Sequence, residues 1–126
     1  MEKGLTLNEY QKCAMQTCMP SCDNFAYMFL NLVGEVGEFS SKVAKLIRKN
    51  ELCIGEIPNH LIPNVGFDRW MDENEELMKE AGDILWQLAG LCKVMGWEFE
   101  QVAQQNLQKL ASMKQRGVIE GNGDNR

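Results

Sequence analysis

The sequence is poor in histidine and proline, lacks any excess of positive charge, and has no long apolar run. Of its 126 residues, one is histidine (His60) and three are proline. Thirteen Lys and Arg stand against eighteen Asp and Glu, a formal charge of −5. That balance excludes the basic face by which proteins hold a nucleic-acid polymer, although an acidic protein handles phosphates where metal ions intervene. No stretch approaches the roughly 20 uncharged apolar residues that span a bilayer, so no membrane partner is expected. The opening MEKGLTLNEYQK has no apolar core of a signal peptide, and the expected location is cytoplasmic. Five cysteines, odd in number and without a Cys-x-x-Cys pair, argue for buried reduced thiols. Cys18 and Cys22 with His60 offer too few ligands for zinc, and a lone loop histidine receives no role.

What remains is one domain over 1–126, 44% hydrophobic and 25% charged. A chain of this length buries about two-thirds of its unfolded surface, and oligomerisation would enlarge the core. Thr6-Leu7-Asn8-Glu9 reads as a capping box, in which a hydroxyl and a carboxylate satisfy the free amides of a helix start. This first helix is expected to run to about Cys18 and to stop before Pro20. A second begins near Ser21 or Asp23 and continues to about Arg48, with Phe25, Phe29, Leu32, Val36, Phe39, Val43 and Leu46 forming an apolar stripe. Residues 49–71 lose that period, carry Pro58, Pro63, Gly55 and Gly66, and read as an irregular insertion. A third helix is expected from Asp72 to Gly96, with the stripe Leu77, Ala81, Ile84, Leu88, Leu91 and Met95. A fourth runs from about Trp97 to Arg116, stopped by Gly117 and followed by the polar tail 117–126. No strand pattern is evident. The fold class is all-α, a four-helix-bundle-like fold with long second and third helices, completed by a second subunit.

One short pattern occurs twice. Glu35-Val36-Gly37-Glu38 and Glu80-Ala81-Gly82-Asp83 each set two carboxylates three apart, on one helical face, beside the apolar stripe. If the stripes pack together, the four acids flank the seam and converge. Each pair brackets a mid-helix glycine, costing about 1 kcal/mol against alanine, as though something must approach the backbone there. Four converging carboxylates need cations to stay ionised, and their hard oxygens suit Mg²⁺, with Mn²⁺ as substitute. With His60 alone, the chain cannot supply the Glu-x-x-His pairs of di-iron bundles, so hydrolysis is favoured over oxygen chemistry. The bland alternative is a solvated face on which Glu38 pairs with Lys42 at i,i+4. On the fourth helix Asn106 interrupts an apolar series, and Lys109 and Arg116 follow, a set of donors suited to a polyphosphate.

The segments LVGEVGEF, KEAGDILWQLAGL and NLQKLASMKQRG, with the terminal GNGDNR, resemble the MazG-type nucleoside triphosphate pyrophosphohydrolases of the all-α NTP pyrophosphatase superfamily. The resemblance covers about 5–126 apart from the middle connection. It implies a helical bundle assembled as a homodimer or dimer of dimers, which cleaves a nucleoside triphosphate between its α and β phosphates to monophosphate and pyrophosphate. It further implies that Glu35, Glu38, Glu80 and Asp83 are magnesium ligands and catalytic residues, and that Asn106, Lys109 and Arg116 contact phosphate. Two departures stand out. Forty-one residues separate Glu38 from Glu80, beyond the usual interval, and Gln87 stands where the family often has tyrosine.

The expected mechanism is metal-assisted attack of water at phosphorus, with Glu38 or Glu35 as general base and Lys109 and Arg116 stabilising the departing pyrophosphate. Trp86, Trp97, Trp70 and Tyr27 are candidate stacking partners for the base. Trp86 is preferred because it lies one turn beyond Asp83. The reading from another class is a catalytically silent helical module that binds a nucleotide or mediates dimerisation.

Overall fold

The computed structural model describes residues 3–54 and 61–119. Helices α1 (Leu7–Met15), α2 (Phe25–Arg48), α3 (Phe67–Val94) and α4 (Phe99–Gln115) carry the fold, which is all-α. The boundaries have local causes. The expected capping box is present: Thr6 Oγ1 accepts from the Glu9 amide and Glu9 Oε2 from the Thr6 amide, both at 3.1 Å. Helix α1 ends three residues before the expected Cys18, and a 3₁₀ turn over Pro20–Cys22 follows. Asn24 then caps α2 by accepting from the Tyr27 amide at 2.9 Å.

Helices α2, α3 and α4 all end the same way. The residue after the cap takes a left-handed conformation, at Asn50 (φ 59°), Gly96 (φ 76°) and Gly117 (φ 69°). The next amide reaches back five residues, from Glu51 to Leu46, Trp97 to Cys92 and Val118 to Met113, at 2.8–3.0 Å. This double turn satisfies carbonyls the helix leaves open.

Two expectations of local structure are corrected. Helix α3 begins at Phe67, not Asp72, because Trp70 already packs with Phe39 and Val43 around Leu46, Leu52 and Leu77. The 49–71 connection is not wholly irregular either. β1 (Leu52–Ile54) and β2 (Leu61–Pro63) pair antiparallel, Cys53 opposite Ile62. Leu52, 1% exposed, closes that end of the seam. His60 lies outside the described residues.

Helices α2 and α3 run antiparallel: Met28 meets Gly90, Lys42 meets Glu80 and Glu76, and Leu46 packs near Leu77. One apolar cluster, Met15, Met28, Ala89, Cys92 and Phe99, holds one end of this seam; Leu46, Leu52 and Leu77 hold the other. Gln11 of α1 brackets the α3–α4 turn, donating to the Ala89 and Trp97 carbonyls and accepting from the Phe99 amide, each at 3.1 Å.

The apolar stripes face inward only in part: Phe39, Val43, Leu46 and Leu77 pack in the seam, but other members do not. Phe25 (53% exposed), Phe29 (48%) and Val36 (46%) point outward, as do Leu88 and Met95 of α3. What α2 turns toward α3 along its first half is Met28 with the polar line Tyr27, Asn31 and Glu35.

Candidate metal centre

Between the two apolar clusters the seam becomes polar. Asn31, Glu35 and Glu38 follow one another at helical spacings of four and three on α2, as do Glu80, Asp83 and Gln87 at three and four on α3. Antiparallel packing turns these two lines into one site. One carboxylate oxygen from each of Glu35, Glu38 and Glu80 lies within 4.8 Å of the others. Glu80 is buried, Glu35 half-buried and Glu38 exposed, so the group opens to solvent on the Glu38 side.

The carboxylate of Glu80 is divided between two surroundings. Its Oε1 accepts from the Lys42 ammonium at 2.7 Å, whereas Oε2 is buried with no hydrogen-bond partner. An orphaned buried oxygen costs free energy, and a divalent cation would satisfy it. The donor set, carboxylate oxygen from three side chains, fits Mg²⁺ or Mn²⁺ and not zinc.

Burial holds the Glu35 carboxyl above the ordinary carboxylate range, and the negative charges of Asp83, Glu38 and Glu80 push the same way. The Asn31 amide counters this by donating to Glu35 Oε1 at 3.4 Å; it also contacts the Tyr27 hydroxyl at 3.4 Å. Tyr27, hydrogen-bonded to Cys22 and Gln87, has its phenol raised, chiefly by the Cys22 bond. Lys42 is likewise raised, chiefly by its hydrogen bond to Glu80. It pairs across the seam with Glu80 and Glu76, not with Glu38 along its own helix.

The remaining candidate residues are spread more widely. Asp83 stands outside the converging trio but is close enough to raise both Glu35 and Tyr10. Asn106 and Lys109 line a separate cavity along α4 with Trp97, Gln101, Val102 and Gln105, to which none of the four acids contributes. Arg116 Nε donates to Ser112 Oγ at 3.2 Å. The Trp86 indole donates to the Ala14 carbonyl at 3.1 Å and to Thr17 Oγ1 at 2.9 Å, which ties α3 to the end of α1. The close approach expected at Gly37 and Gly82 is not made by the described chain: a Cβ there would meet nothing within 4 Å.

Asn31 and the seam role of Lys42 lie outside the acidic motif. Asn31 was detectable as a polar residue one turn before Glu35. Gln87, which stands where the family often has tyrosine, is buried on α3 one turn beyond Asp83. It is 3% exposed, and its Oε1 is buried without a partner.

A helical hairpin that gathers acids from facing turns defines a carboxylate-lined, metal-type site on an all-α scaffold. The model of the MazG nucleotide pyrophosphohydrolase domain matches residues 24–117, and the chain belongs to that family. The match takes in both acidic turns and the whole of α4. The chain is also 35% identical over 106 residues to "Gene 37 protein" of Mycobacterium phage L5, covering 84% of this chain and 80% of that one. No solved structure matches it. Among the described residues, no helix is long and apolar enough to cross a membrane.

Proposed function

We propose that the chain hydrolyses a nucleoside triphosphate between its α and β phosphates, giving a nucleoside monophosphate and pyrophosphate. The observation that carries this reading is the convergence of Glu35, Glu38 and Glu80, with a buried Glu80 oxygen left over for a ligand. Mg²⁺ held by these carboxylates, with Asp83 in reach of Glu35, would offset phosphate charge and acidify a bound water. Glu35 suits the general base: its raised affinity for a proton and its hold by Asn31 favour accepting one from the attacking water. The water oxygen forms a new bond to phosphorus, the bridging P–O bond breaks, and its electron pair leaves with pyrophosphate.

Asn106, Lys109 and Arg116 fit as phosphate contacts delivered by α4 of a second copy, since Glu35, Glu38, Glu80 and Asp83 do not line the Asn106–Lys109 cavity. The outward apolar residues of α2, Phe25, Phe29, Val33 and Val36, suit such an assembly, a homodimer or dimer of dimers. Trp86, its edge already engaged, offers only a ring face to a base.

The test is a panel of ribo-, deoxy- and base-modified triphosphates with Mg²⁺, followed by phosphorus NMR. Pyrophosphate and a monophosphate are expected. Binding without products would favour the silent nucleotide-binding module instead.

A further inference from the structure

Lys42 already holds one oxygen of a carboxylate that a divalent cation would use, while the other oxygen stays open. Its ammonium is 2.7 Å from Glu80 Oε1 and 3.8 Å from Glu76 Oε2, one α3 turn away. Glu80 is also a member of the converging trio, so an ammonium and a metal ion would compete for the same carboxylate. We propose that Lys42 is the resident counter-ion of the acidic group and that a divalent cation displaces it from Glu80 onto Glu76. Metal entering at the open Oε2 would then expel the ammonium from Oε1 of the same carboxylate, which couples metal loading to an ion exchange. This inference rests on the reading of Glu35, Glu38 and Glu80 as metal ligands.

The surroundings of Lys42 permit the exchange. Its side chain is 43% exposed and therefore free to swing. Glu76 receives Lys79 on Oε1 and faces Lys42 with Oε2, so it can hold both ammonium groups on different oxygens. A cavity of about 180 Å³ lined by Lys42, Glu73 and Glu76 lies on that side. In the metal-free chain the ammonium offsets part of the repulsion among three carboxylates. The same attraction must be broken before a metal can take all of Glu80, which weakens binding of the free ion.

The experiment is a Mn²⁺ titration followed by electron paramagnetic resonance, without nucleotide, on the wild type, Lys42→Met, Lys42→Arg and Glu80→Gln. Lys42→Met is expected to bind Mn²⁺ roughly five-fold more tightly, the ratio set by one partly exposed ion pair. Lys42→Arg should stay near the wild type, and Glu80→Gln should lose binding. Acetylation of Lys42 by acetic anhydride, which transfers one acetyl group to the amine and releases acetate, should quicken when Mg²⁺ is added, as followed by mass spectrometry. Equal or weaker Mn²⁺ affinity in Lys42→Met, or unchanged acetylation, overturns the exchange. No Mn²⁺ bound by the wild type overturns the metal assignment itself.

Discussion

Met28 of α2 lies directly over the backbone of Gly90 in α3, so closely that a Cβ at position 90 would fall inside the Met28 thioether. Both residues are buried, Met28 completely, at the end of the seam held by the Met28 cluster. This pair sets how near the two helices come, and with it the distance across which Glu35 and Glu80 face each other.

Gly90→Ala should therefore destabilise the fold by about 1–3 kcal/mol through overpacking. Thermal unfolding measures the loss. Combining it with Met28→Ala should cost less than the two changes summed, because each relieves the other. Additive losses would mean that the contact does not set the helix spacing.

Glu38→Gln removes a charge from the exposed lip of the trio while keeping the side chain's shape. Turnover of the best triphosphate should fall by about a hundred-fold or more. The circular dichroism of the helices should not change. Retained activity would exclude Glu38 from the site.

Glu35 should leave a mark on stability against pH. Its native pKa is raised from the usual 4.5, so between those two values the native chain binds more protons than the unfolded one. Stability then falls as pH rises through that window. Glu35→Gln should lack this share of the fall, and saturating Mg²⁺, which favours the ionised form, should suppress it in the wild type. Parallel melting profiles for wild type and variant from roughly pH 4 to pH 8 would contradict the account of burial and charge.

Phe29→Lys tests the outward face of α2. Phe25 and Phe29 stack on each other, ring centres 5.7 Å apart, and Phe29 is 48% exposed in the single chain. If a second copy covers them, the lysine should shift sedimentation toward the monomer and lower catalysis together with it. An unaltered sedimentation profile would place the assembly surface elsewhere.

Much of this was legible in the sequence. The Thr6–Glu9 box and the stops at Gly96 and Gly117 announce themselves through local chemistry that needs no tertiary partner. The two equal spacings on two helices point to Glu35, Glu38 and Glu80 meeting, but Asp83, expected with them, stands outside the trio. Periodicity, however, says which residues share a face and not which face packs inward. Phe25, Phe29 and Val36 were expected in the core, yet Tyr27, Asn31 and Glu35 hold the seam. The partner of Lys42 is hidden for a related reason: i,i+4 spacing offers Glu38, while the buried Glu80 across the gap is the acceptor it takes. The position of Asn106 and Lys109 relative to the acids depends on how α4 docks, which Gln11 fixes through contacts far apart in sequence.

The polar site is propped like the middle of a beam, with Met28, Ala89 and Cys92 bearing one support and Leu46, Leu52 and Leu77 the other. Adhesion of the hairpin is delivered at its ends, where oil meets oil. The span between is free to change its chemistry, so polar residues such as Asn31 or Gln87 can be exchanged without the hairpin coming apart.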